Sequence, residues 1–157
     1  MVVDVIIPVY RPEREKLTKL IDWLNKQTVK PSRVFFMQTL VEKNEDEEVL
    51  QMLQKAENVE IVPIEKKDFD HGGTRNKGAA LSKADYMLFM TQDAVPVDAY
   101  LIENLVQAME EEEAATAYGR QLPDDTVGVI EHYTREFNYP AKSYVKSQKD
   151  LETMGIK

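Results

Sequence analysis

Cysteine is absent from the 157 residues, so no disulfide staples the fold and no thiolate holds a metal. No apolar run approaches the roughly 18 residues of a membrane span. A basic face is also missing: 20 Lys and Arg stand against 28 Asp and Glu, a net charge of −8, which argues against a nucleic-acid partner. The first residues include acidic Asp4 and lack a basic leader, so they read as a strand and not as a signal peptide. These absences fit a reducing, cytoplasmic compartment. Hydrophobic residues make up 43% of the chain, enough for a core without staples. The acidic balance repels small anions, so an anionic substrate needs local positive charge or a bound cation.

Apolar runs alternate with helical periodicity. Residues 2–7 read as a buried strand closed by Pro8, and Pro12 opens a helix with Leu17, Leu20, Ile21 and Leu24 on one face. Residues 34–40 read as the second strand, and Val49, Met52, Leu53 and Ala56 repeat the helical spacing. Residues 59–64 form a third strand. A helix over 74–82 follows, whose Gly78, Ala79 and Ala80 permit close packing. Residues 86–90 are a fourth strand, Leu101, Ile102, Leu105, Val106 and Met109 mark a helix, and 114–118 reads as a fifth strand. Such alternation implies right-handed βαβ units and a mostly parallel sheet, with ligands outside the carboxyl ends of the strands. Residues 1–120 are expected to form this α/β domain. Residues 121–157 are polar and Tyr-rich, with a turn at Leu122-Pro123-Asp124-Asp125 and short helices near 129–137 and 149–154. They hold too few apolar residues for a core and are expected to pack on the sheet or on something absent from this chain.

Two segments at that edge can carry chemistry. Asp68 to Gly78 joins the third strand to a helix; Gly72 and Gly73 allow a sharp turn, the helix N-terminus suits an anion, and Arg75 adds a cationic fork. The alternative is a tight turn with a surface arginine. It is no Walker loop, since Gly78 follows Lys77, and no dinucleotide fingerprint, which belongs after the first strand. His71 beside two glycines is more often structural than a ligand. In the second segment, residues 90–96, Asp93 stands just past a strand, where it can hold Mg²⁺ or Mn²⁺ against substrate phosphates or merely cap the turn before Pro96. Tyr10, after the first strand, can stack on a nucleobase or pack as any strand-end ring.

Ile6-Ile7-Pro8-Val9-Tyr10, Phe69-Asp70-His71-Gly72-Gly73-Thr74-Arg75-Asn76 and residues 89–96 together resemble the family-two GT-A glycosyltransferases, in particular their bacterial rhamnosyltransferase-like members. Gly119-Arg120-Gln121-Leu122-Pro123 and Arg135-Glu136-Phe137-Asn138-Tyr139-Pro140 resemble that subgroup too. The resemblance implies a GT-A, Rossmann-like fold. It implies inverting transfer of a sugar, with rhamnose as the subgroup's choice, from a dTDP- or UDP-sugar to a hydroxyl of a glycan or lipid-linked acceptor. Such chemistry belongs to cell-surface polysaccharide synthesis, in the cytoplasm or at the inner face of the membrane. Pro8, Val9, Tyr10, Arg75, Gln92 and Asp93 would bind the nucleotide sugar, and Asp93 the Mg or Mn ion.

Three departures qualify it. The family's Asp-X-Asp motif maps onto Thr91-Gln92-Asp93, where only the last acid stands. The acidic pair that ends the family's second strand is replaced by Gln38-Thr39, either of which can hydrogen-bond a base edge. Enzymes that this chain resembles commonly continue beyond this point, and the continuation holds the acceptor site and the general base, so the resemblance implies a base beyond Lys157; nothing positions Glu131 or Glu136 for that role. The chain therefore reads as the donor-binding half of a longer enzyme or a truncated relative, the alternative being a nucleotide- or partner-binding module without turnover. A nucleotidyltransferase would want a glycine-rich basic loop after the first strand, and Pro8 to Pro12 contains no glycine.

Overall fold

The computed structural model describes residues 1–123 and 128–150. The chain divides into two compact units, 1–104 and 105–157.

The first unit is built on four parallel strands: β1 (Val3–Val9), β2 (Arg33–Thr39), β3 (Val59–Ile64) and β4 (Tyr86–Phe89). Their order in the sheet is β3-β2-β1-β4. The central strands β1 and β2 are buried almost throughout, which is why they read as continuous apolar runs. The outer strands alternate or are only half buried. Helices α1 (Arg14–Asn25), α2 (Lys43–Leu53) and α3 (His71–Leu81) make the crossovers. α1 buries the four leucine and isoleucine residues that its spacing marked. The chain moves from β1 outward to β3, then returns to lay β4 on the other side of β1. That reversal makes the carboxyl ends of β1 and β4 the topological switch point, the place where such sheets bind ligands.

β1 runs two residues past the expected stop and includes Pro8, paired with Met37 of β2. The β4 ladder has already ended at Ile6 opposite Phe89, closed by the Met90 N–H on the Ile6 carbonyl. Even-numbered residues of β1 face β4, so the N–H that Pro8 lacks is not needed there.

α3 begins three residues earlier than its periodicity indicated, because Asp70 caps it by accepting from the Gly73 N–H. Gly72 and Gly73 thus lie in the first helical turn and neither takes a left-handed backbone conformation, so they do not form the sharp turn expected of them. Gly78 does serve close packing: a Cβ there would stand 2.6 Å from Ile6 Cγ2.

Residues 114–118 form no strand. Three of the five are alanines, which bury too little apolar surface to hold a new sheet edge. Helix α4 (Leu101–Glu111) matches its predicted face at Ile102 and Val106, both buried. In the second unit, α5 (Val129–Asn138) forms where a short helix was expected, and a single 3-10 turn covers Gln148–Asp150. Asp124 and Asp125 of the expected turn, and the rest of the helix expected over 149–154, lie outside the described residues. Val129, Ile130, Tyr133 and Phe137 make an apolar stripe on α5 that stays exposed.

Candidate nucleotide-sugar site

The switch point is bridged by one side chain. Tyr10, just past β1, directs its backbone toward β4, but β4 has ended. The Gln92 amide substitutes for the missing strand. Its Oε1 accepts from the Tyr10 N–H at 2.8 Å and its Nε2 donates to the Tyr10 carbonyl at 3.0 Å. A carboxamide carries the donor and acceptor of a peptide group, so it extends the ladder by one rung. Gln92 therefore spends one oxygen and one N–H on the protein.

Asp93, the next residue, is exposed, and its carboxylate makes no hydrogen bond or ion pair among the described residues. The local turn closes without it, by the Ala94 N–H on the Thr91 carbonyl at 3.1 Å. The turn-capping alternative thus has no bond to support it. No three His, Asp or Glu side chains among the described residues converge on a metal position. A cation at Asp93 would take one protein oxygen and complete its shell with phosphate oxygens and water, a mode that suits Mg²⁺.

On the other side of β1, the ends of β1 and β2 and the first turn of α2 enclose a small depression. Val9, Arg11, Gln38, Thr39, Glu45 and Asp46 contribute to its lining. Gln38 is buried and donates from Nε2 to the Asp46 carbonyl at 3.1 Å. The Thr39 hydroxyl is buried with no hydrogen-bond partner, an arrangement that costs free energy unless a ligand or water satisfies it. The Asp46 carboxylate accepts from the Val41 N–H at 3.0 Å and folds the loop over. Two acids of the first turn of α2, Glu45 and Asp46, thus stand beside Gln38 and Thr39. Their signal was the acidic run 45–48, at the start of the helix that follows the second strand.

Arg11 adopts φ 42°, a strained conformation for a non-glycine residue of the kind that gathers at binding loops. Its Nε lies 3.5 Å from Glu45 Oε2. The Tyr10 ring stacks on Phe69 with centroids 6.4 Å apart, and Phe69 meets His71 edge-on at 5.0 Å. His71 is thereby held as an aromatic neighbour. Half-buried Arg75 donates from Nη1 to the His71 carbonyl at 2.8 Å, which fixes its guanidinium over the start of α3 with other N–H groups left over. Pro8 is half buried, and the Val9 side chain is fully buried in β1 and closed to a ligand. All six residues singled out lie in the first unit. Tyr10 and Gln92 are in contact, Asp93 follows Gln92 in sequence, and Arg75 lies in the first turns of α3.

The model for glycosyl transferase family 2 matches residues 4–156. The chain is 35% identical over its whole length to the O-antigen chain rhamnosyltransferase RfbN of Salmonella typhimurium, covering 49% of that protein. It is 28% identical over 97% of its length to the O-antigen chain rhamnosyltransferase WbaN of Salmonella anatum, covering 47% of it. The chain thus spans about half the length of the curated relatives it matches. Among solved structures, S. aureus TarS residues 1–349 superpose with a TM-score of 0.57 at 20% identity, over 79% of this chain and 39% of that one. The same piece in complex with UDP gives a TM-score of 0.55 at 19% identity, over 79% and 38%. These superpositions establish the GT-A fold.

Proposed function

Since the chain belongs to glycosyl transferase family 2, we propose that it carries the donor-binding half of an inverting glycosyltransferase that moves a sugar from a nucleoside diphosphate to an acceptor hydroxyl. Polysaccharide synthesis is the setting, and rhamnose the sugar, that the two Salmonella relatives support. One observation carries the site assignment: an exposed, unengaged carboxylate, Asp93, next to the Gln92 strap at the switch point of the sheet.

The residues divide the work by chemistry. A diphosphate beside Asp93 is repelled unless a cation lies between them; Mg²⁺ or Mn²⁺ would supply that neutralisation. The remaining N–H groups of Arg75 and the start of α3 offer positive charge to phosphate oxygens. The Tyr10 ring, backed by Phe69, offers a face to the base. Its backbone is committed to Gln92, so base hydrogen bonds fall to the Gln38 and Thr39 side chains or to Asp46 and Glu45. The acceptor is a glycan or a lipid-linked glycan. No helix among the described residues is long and apolar enough to cross a membrane.

Calorimetry with UDP and dTDP, with and without Mn²⁺, tests the reading. Binding of at least one nucleotide, strengthened by metal, is expected. Failure of both to bind in Mn²⁺ rules out the donor site.

A further inference from the structure

Two stretches of the second unit, Tyr118 to Leu122 and Arg135 to Pro140, have no task at the donor site. They meet at one cleft, lined by Tyr118, Gly119, Gln121, Asn138 and Tyr139. The contact is made by Arg135, whose Nη1 donates to Gln121 Oε1 at 2.6 Å while Nη2 pairs with Glu131 at 3.0 Å. That bond holds the Gln121 carbonyl oxygen and leaves its NH₂ as a donor. The Asn138 carboxamide, at the last turn of α5, makes no side-chain hydrogen bond among the described residues. The Tyr118 ring stands edge-on to Tyr139 with centroids 6.3 Å apart and planes at 74°. Its hydroxyl shares a hydrogen bond of 3.0 Å with that of Tyr144.

The lining therefore consists of two tyrosine rings at nearly a right angle, two carboxamides and a glycine, with no ionised side chain. Such a wall presents no cationic side chain of its own to a phosphate; Arg135 beside it is shared between Gln121 and Glu131, and Arg120, between Gly119 and Gln121 in sequence, is exposed. It matches a pyranose. The axial C–H face of a sugar ring is apolar and lies against an aromatic ring. The rim of hydroxyls both donates and accepts, and a carboxamide answers an adjacent pair of them.

We propose that this cleft is a pyranose-binding subsite, formed by Tyr118, Gln121, Asn138 and Tyr139. The class of ligand agrees with the sugar-transfer reading and rests on it for the choice of rhamnose as the probe. The pyranose comes either from the acceptor or from the donor's own sugar, and the test separates the two.

The full chain is examined by saturation-transfer NMR with methyl α-L-rhamnopyranoside, and by calorimetry with dTDP-rhamnose and dTDP. An acceptor subsite passes saturation to the ring C–H protons of the free glycoside, and Tyr118→Ala and Asn138→Ala each weaken its binding about tenfold. A donor-sugar subsite leaves the free glycoside silent, while the same substitutions weaken dTDP-rhamnose about tenfold and leave dTDP unchanged. No transfer to the glycoside together with unchanged dTDP-rhamnose binding in both variants overturns the proposal. If Tyr118→Ala unfolds the second unit, Asn138→Asp reads the same contact, since it keeps the size and removes the donors. Binding of dTDP in the same samples reports on the donor site separately; if that site fails, the free-glycoside arm alone decides, and silence there overturns the proposal.

Discussion

Gln92 hydrogen-bonds both backbone groups of Tyr10, a residue 82 positions away, and so joins the ends of β1 and β4 beyond the last rung of their ladder. The strap holds the two strand ends together. Gln92→Ala removes both bonds and is expected to lower stability by about 1–2 kcal/mol, at the low end because the site is partly hydrated. Urea unfolding should show a lower midpoint at constant slope. An unchanged midpoint would mean that water replaces the amide at no cost.

Asp93 has no protein partner among the described residues, so its loss should cost the fold little, within about 0.5 kcal/mol. Asp93→Ala is expected to abolish the strengthening of nucleotide binding by Mn²⁺ while the thermal midpoint stays put. Calorimetry with and without metal measures the first and a melting curve the second. Persisting metal dependence would remove Asp93 from the site.

Two of the three glycines of α3, Gly72 and Gly78, should respond in opposite senses. A Cβ at Gly78 would crowd Ile6 Cγ2 at 2.6 Å and Met37 Sδ at 3.3 Å, an overpacking expected to cost about 1–3 kcal/mol. At Gly72 the closest atom is Asp70 Oδ2, at an ordinary 3.7 Å. Gly72→Ala is therefore expected to gain up to about 1 kcal/mol of helix propensity. Chemical unfolding of both variants checks the pair. If Gly72→Ala also loses nucleotide affinity, the bare backbone there faces the ligand.

At the opposite end of the sheet, Asp4 is fully buried and accepts from Arg33 Nη2 and the Ser82 hydroxyl, each at 2.7 Å. It ties β1 to the start of β2 and the end of α3. Asp4→Ala leaves Arg33 without its buried counter-charge, and a loss of roughly 2–4 kcal/mol is expected, moderated because Arg33 is partly exposed and can rehydrate. Nucleotide binding measured below the unfolding midpoint should be unaffected.

The Tyr118–Tyr144 pair gives a pH signature. Their shared hydrogen bond lowers the Tyr144 phenol below its ordinary value, with help from Lys146, and raises Tyr118 above it. With rising pH the first proton leaves the pair below the usual tyrosine range and the second above it. NMR titration of ring-labelled tyrosine should show both steps. In Tyr118→Phe the main cause of the lowering is gone, so Tyr144 is expected to move upward, toward the ordinary value. A Tyr144 titration that stays where it was would place the effect on Lys146 alone.

The local patterns were legible because they depend on near neighbours. Buried parallel strands need continuous apolar runs, and amphipathic helices need a 3.6-residue period, so β1 to β4 and α1 to α5 could all be placed from residue order. The position of Asp93 just past a strand was legible on the same ground. The fifth strand failed because alanine-rich residues 114–118 do not supply the buried area that pairing needs. The rest depended on where distant segments arrive. Only the β1–β4 register puts Gln92 opposite Tyr10 and lets its amide serve as a backbone rung. Only the α2 crossover brings Glu45 and Asp46 beside Gln38 and Thr39. Only the fold of the second unit lets Arg135 reach Gln121 and leave Asn138 open. Sequence determines which groups exist and which element carries each. A hydrogen bond works over about 3 Å, so which groups are spent on the protein, and which remain for a ligand, is decided by tertiary structure.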